Sequence, residues 1–176
     1  MKILALDSSG LVASVAVVEN DTLLAEYTVN YKKTHSQTLL PMLDEISNMT
    51  ELDLSTIDAI AVAGGPGSFT GLRIGSATAK GLGLALEKPL ISIPTTAAIA
   101  YNIWDTNKFV CPIMDARRNQ VYTGVYCYTD HRLDTVWEQD TMSIEALAEG
   151  LNCLDHEVIF LGDGVAVYRK KLQELL

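Results

Sequence analysis

The sequence predicts an α/β protein of two lobes, each a mixed sheet flanked by helices. Three observations lead there. The first thirty or so residues hold three short runs rich in β-branched and aliphatic residues, separated by tight turns. The hydrophobic period then changes from two to about 3.6, and strand and helix patterns alternate. After a polar stretch at 104–108 the same kind of pattern starts again.

The elements follow in chain order. Residues 2–7 (KILALD) form a mostly apolar run suited to a buried strand. LVASVAVVE (11–19) follows a Ser-Ser-Gly turn and reads as a second strand. Glu19-Asn20-Asp21 is a turn, and TLLAEYTVN (22–30) completes an antiparallel meander. Thr34 is the expected N-cap of a helix over 35–48, with Leu39, Leu40, Met42, Leu43 and Ile46 at three- and four-residue spacing. Pro41 inside that pattern predicts a kink or a late helix start. DAIAVA (58–63) is a fourth strand, 70–87 a second helix, LISI (90–93) a fifth strand and 97–103 a short helix capped by Thr95. A boundary near 104 divides a first lobe, 1–104, from a smaller second lobe, 105–176. The second lobe reads as strands FVCPIMDA and NQVYTGVYCYT, a helix over 143–150, a strand EVIFLGDG and a final helix from about 165.

Composition narrows the function classes. With 48% hydrophobic and 20% charged residues the chain is globular, and no apolar run is long enough to span a bilayer. The net charge of −9 disfavours a protein that grips nucleic acid by itself. Three scattered cysteines, with no Cys-x-x-Cys pair, read as free thiols of the reducing cytosol.

Three segments carry chemistry or its absence. Asp7-Ser8-Ser9-Gly10 closes the first hairpin, either as a nucleotide-facing turn or as a turn that satisfies its own backbone. GGPGSFTGLR (64–73) is a glycine-rich loop running into a helix, which is an anion site in physical terms. It matches neither G-x-x-x-x-G-K-[ST] nor G-x-G-x-x-G, and its bland reading is a tight strand-to-helix turn. Candidate nucleotide or anion contacts are therefore Asp7, Ser9, Gly65, Gly67 and Ser68. The helix that follows contains Gly71, Gly75, Gly81 and Gly83. Each glycine costs about 1 kcal/mol against alanine in a helix interior, so close packing against another element is expected. No metal or catalytic site is expected: no G-x-S-x-G is present, and His35 has no neighbouring His or Cys in sequence.

The β-β-β-α-β-α-β order resembles the actin-like, ribonuclease H-like (ASKHA) superfamily, which fixes a fold and no activity. The strings ILALDSSG, HSQTLLPML, GGPGSFTGLRIGSATAKGLGLAL and MDARRNQVYTGVY are more specific. Together they resemble the TsaB (YeaZ) family along essentially the whole chain. Members of that family are usually longer at the C-terminus, which implies an incomplete second lobe. The resemblance implies a non-catalytic, cytoplasmic subunit that pairs with TsaD, is joined by the ATPase TsaE, and helps form threonylcarbamoyladenosine at position 37 of tRNAs reading ANN codons. ATP is then used by the complex and no cofactor is bound by this subunit. The His-x-x-x-His metal pair of TsaD falls here on about Thr95 and Ile99, neither of which can replace imidazole. The partner surface implied is the two helices of the first lobe. Its residues are His35, Leu39, Leu40, Leu43 and Ile46 on one helix and Gly71, Gly75, Thr78, Ala79 and Leu82 on the other. The same surface would support a homodimer when the chain is alone, and tRNA would be met only through the complex. The competing expectation is a stand-alone ASKHA-type ATPase, kinase or peptidase.

Overall fold

The structure is a computed structural model that describes residues 1–31 and 34–176. It divides into two compact units, 1–93 and 94–176. The division precedes the boundary expected near 104, because the short helix expected at the end of the first lobe belongs to the second. The polar stretch after it is a loop within the second unit.

In the first unit, β1 (Lys2–Asp7), β2 (Ala13–Glu19) and β3 (Thr22–Val29) form the antiparallel meander. A 3-10 turn (His35–Gln37) leads into α1 (Leu39–Thr50). The helix starts late, with Pro41 in its first turn, where a missing N–H leaves no intrahelical bond unmade. Thr34 makes no side-chain capping bond. β4 (Ala59–Gly65) pairs parallel to β1, with Ile3 opposite Ala59 and Leu6 opposite Val62. Then come α2 (Phe69–Leu86) and β5 (Leu90–Pro94), giving a five-stranded sheet of order β3-β2-β1-β4-β5.

Alternation along β1 and β2 turns Leu4, Leu6, Val15 and Val17 toward the helices, where Leu39, Met42, Leu43 and Ile46 of α1 meet them. Burying each such side chain is worth roughly 1.5–3 kcal/mol. Ile60, Val62 and Ala79 extend this core beneath α2.

The second unit begins with α3 (Thr95–Ala100), preceded by Pro94 where Thr95 was expected as cap. β6 (Phe109–Asp115), β7 (Gln120–Thr129) and β8 (Arg132–Ser143) repeat the meander. α4 (Ile144–Leu154) starts at Ser143, whose hydroxyl accepts from the Ala146 N–H. β9 (Val158–Leu161) pairs parallel to β6, and α5 (Gly164–Leu175) follows. The sheet order is β8-β7-β6-β9, which matches β3-β2-β1-β4 of the first unit. β8 was not anticipated from the sequence. α3 is fixed to its own unit by Thr96, whose hydroxyl lies 2.7 Å from that of Tyr126 and donates to Gln139 at 2.9 Å. Burial raises the Tyr126 phenol above its ordinary value.

Candidate functional site

The two segments singled out in the first lobe meet each other directly. The Ser68 N–H donates to the Ser9 carbonyl at 2.7 Å, and the Ser8 hydroxyl donates to the Gly71 carbonyl at 2.8 Å. A Cβ added at Gly67 or Gly71 would collide with the backbone carbonyl of Ser9 or Ser8. Asp7 turns back on its own loop, accepting from the Ser9 N–H at 2.7 Å. His35 lies between the two, with Nε2 2.9 Å from the Gly10 carbonyl. Since a carbonyl only accepts, that nitrogen carries the proton in this contact.

This arrangement uses part of the donor set that an anion would need. Ser68 caps α2, its hydroxyl accepting from Gly71 N–H at 3.3 Å, and the Leu72 N–H donates to the Ser68 carbonyl at 2.8 Å. The five candidate anion contacts, Asp7, Ser9, Gly65, Gly67 and Ser68, are thus brought into one loop pair. Four of them serve its internal bonding and close packing: Asp7, Ser9 and Ser68 through hydrogen bonds, Gly67 by leaving room for Ser9. Gly65 adopts φ +107°, which favours glycine, at the end of β4.

The expected partner residues separate into two groups. Leu39, Leu43 and Ile46 are buried in the core of their own lobe. Gly71, Gly75 and Ala79 are buried too, and a Cβ at Gly75 would collide with the Ser8 hydroxyl. All six pack within their own lobe, and the small-residue stripe brings α2 close to its own sheet. Leu82 is half-buried against the same core, and His35 and Thr78 are half-buried. Leu40 alone of the ten points outward, 53% exposed.

Sequence reasoning missed the outward side of these helices. Phe69 is 71% and Leu84 84% exposed on α2. The Arg73 guanidinium stands 4.3 Å from the centre of the Phe69 ring, a cation–π contact on the surface. Arg73, Lys80, Ala77 and Ala85 share that exposed side of α2, while Asp44 and Glu45 are exposed on α1. The signal was present as large apolar residues falling outside the small-residue stripe.

Thr95 is buried and its hydroxyl has no hydrogen-bond partner, while Ile99 is half-buried. Among the described residues there is no group of three His, Cys, Asp or Glu side chains able to hold a metal ion. No helix is long and apolar enough to cross a membrane, again among those residues.

Comparison with known proteins agrees with this geometry. The family model "TsaD: tRNA N6-adenosine threonylcarbamoyltransferase" matches residues 22–175. The "tRNA threonylcarbamoyladenosine biosynthesis protein TsaB" of Bacillus subtilis is 34% identical over 176 residues, all of this chain and 77% of the relative. The TsaB of Escherichia coli is 33% identical over 170 residues, 93% of this chain and 72% of that one. Among solved structures, YeaZ from Pseudomonas aeruginosa is 31% identical with a TM-score of 0.74, covering 82% of this chain and 68% of its own. An exopolyphosphatase from Cytophaga hutchinsonii, at 9% identity and a TM-score of 0.51 over 99% of this chain and 71% of its own, shares the actin-like fold alone. By sequence, by fold and by its motifs, the chain belongs to the TsaB (YeaZ) family of tRNA threonylcarbamoyladenosine biosynthesis proteins.

Proposed function

We propose that this chain is a non-catalytic subunit of the tRNA threonylcarbamoylation machinery, which supports a TsaD-type transferase by docking on it. The observation that carries this is the outward side of α1 and α2. Leu40 is exposed on α1 together with Asp44 and Glu45, and Phe69 and Leu84 are exposed on α2 together with Arg73 and Lys80. Apolar side chains flanked by opposite charges suit a partner helix pair with the reverse arrangement.

The closed loop pair supports the non-catalytic part of the reading. Several loop donors, the N–H groups of Ser68, Gly71 and Leu72, are engaged within the protein. By the family resemblance, the transferase's metal-binding positions fall on about Thr95 and Ile99. ATP then enters through a TsaE-type ATPase of the complex, and this subunit binds no cofactor of its own. The three free thiols fit a cytoplasmic protein.

Exposed acidic residues on α1 and basic residues on α2 give the chain the charges that a two-fold contact with a copy of itself requires. We therefore expect a homodimer in isolation that competes with the mixed complex. Light scattering after size exclusion tests both. The wild-type chain mixed with its cognate transferase is expected to form a mixed species, and tRNA modification is expected to fail when the chain is omitted. Leu84→Glu with Leu40→Glu is expected to abolish both associations without unfolding, since both side chains are exposed. Absence of a mixed species, or modification by this chain alone, overturns the proposal.

A further inference from the structure

The MDARRNQVY segment is not used by either the loop pair or the outward helix face. It forms the hairpin between β6 and β7, and its geometry is unusual. Arg117, Arg118 and Asn119 are three consecutive non-glycine residues in the left-handed region, with φ of 67°, 52° and 65°. Arginine gains nothing from that region, where glycine is the undemanding choice. The turn is nonetheless firmly built. The Arg117 N–H donates to Asp115 Oδ1 at 2.9 Å, and the Gln120 N–H donates to the Arg117 carbonyl at 3.0 Å. Asp115 is itself fixed, its N–H donating to Asp163 Oδ1 at 3.1 Å and its carboxylate accepting from the Tyr168 hydroxyl at 3.3 Å.

The result is a hydrogen-bonded tip that carries two adjacent guanidinium groups into solvent. Asp115 stands 4.0 Å from Arg117, at the limit of an ion pair, and no carboxylate lies within that distance of Arg118 among the described residues. Strain held on residues that make no packing contribution points to a use for their side chains. Adjacent exposed guanidinium groups suit phosphodiester oxygens, which arginine binds with paired N–H donors. We propose that the Arg117–Arg118 tip is a backbone contact for RNA, a local basic point on an otherwise acidic chain. The inference rests on the tRNA pathway reading for the identity of the RNA. It adds a direct contact where the sequence alone predicted tRNA only through the complex.

Glycine is the informative substitution, because both positions already have the backbone that glycine adopts freely. The test measures fluorescence anisotropy of a labelled, unmodified tRNA transcript with an ANN-reading anticodon, titrated with the full isolated chain between about 20 and 100 mM salt. Arg117→Gly/Arg118→Gly is expected to weaken binding about tenfold and to lower the slope of log K against log salt by about 1.4–1.8. Its Tm is expected to equal or exceed that of wild type. Lys170→Ser, an exposed cation of α5, is expected to bind like wild type. No binding by wild type, unchanged binding by the double variant, or a fall in its Tm overturns the proposal. So does polyglutamate that displaces the transcript as well as unlabelled tRNA does, which would assign the tip to an acidic protein instead. Light scattering of the same double variant with the transferase reports separately on the partner interface. Loss of that complex alone strikes the docking reading and leaves the RNA result standing.

Discussion

In the first lobe, α2 meets its sheet through Gly71, Gly75, Ala79 and Gly83. In the second, α5 occupies the corresponding place in the repeated topology and buries Gly164, Tyr168 and Leu172 at the same four-residue spacing. The first glycine of each stripe has the same task. A Cβ at Gly71 would strike the Ser8 carbonyl, and one at Gly164 would come within 2.8 Å of the Ile113 carbonyl. Beyond it the two stripes diverge. α2 continues with residues that have little or no side chain and approaches by its backbone. α5 stands on side chains, and its Tyr168 hydroxyl reaches Asp115 and the Gln120 carbonyl. One topology thus requires only the first-turn glycine. The rest of the stripe is free to set how close the helix lies and what its outer side presents.

Substitutions along the two stripes break this comparison most directly. Tyr168→Ala is expected to cost about 4 kcal/mol by opening a cavity under α5, whereas Tyr168→Phe, which loses only the hydroxyl bonds, costs about 1 kcal/mol. Urea midpoints followed by the fluorescence of Trp104 and Trp137, both in the second lobe, check this. Gly71→Val is expected to cost about 3 kcal/mol through overpacking against Ser8, read by circular dichroism. If the tryptophan transition moves with it, the lobes unfold as one unit; if not, they unfold separately.

Alkaline pH separates the lobes by a different route, since all three cysteines lie in the second. Burial pushes the Cys111 thiol from its ordinary 9.0 up to about 12. Burial also raises Tyr126, Tyr128 and Tyr168 above 10.0. In each case the unfolded chain ionises first. The stabilisation is therefore complete below the unfolded values and is lost as pH rises toward the folded ones. Cys111 alone is expected to remove about 2 kcal/mol by about pH 10.5. A tryptophan-monitored urea midpoint that stays constant from about pH 8.5 to 10.5 would contradict this. The smallest effect is expected at Gly81, where an added Cβ meets nothing within 4 Å. Gly81→Ala should stabilise α2 by up to about 1 kcal/mol, while Gly75→Ala, against the Ser8 hydroxyl, should destabilise it.

Much of this architecture was legible in the chain. The apolar and β-branched runs gave β1 to β4 to within a few residues, and the helix expected over 143–150 is α4. β8 was not legible because it is an edge strand. Its sequence RLDTVWEQDTMS has mostly polar residues, and half-buried contacts by Leu133, Val136, Trp137 and Met142 tie it to the core. The site was half legible. Periodicity identified the stripe of Gly71, Gly75 and Ala79 as a close-packing surface, yet spacing alone does not say which neighbour it meets. The answer lay in Ser8, more than sixty residues away in sequence, where local pattern carries no signal.

The composition of α2 also bears on the order in which the chain is made. A segment with four glycines is a poor helix in isolation, so it needs a template before it can persist. The groups that shape the first half of its inner side, from the Ser8 carbonyl and hydroxyl to Val62, precede it in the sequence, while Leu90, which faces Gly83, follows it. Synthesis from the N-terminus therefore delivers β1 to β4 first and the glycine-rich helix afterwards, onto a surface already waiting. A circular permutant that began at α2 would reverse that sequence of events and leave the helix without its mould while the rest of the chain emerged.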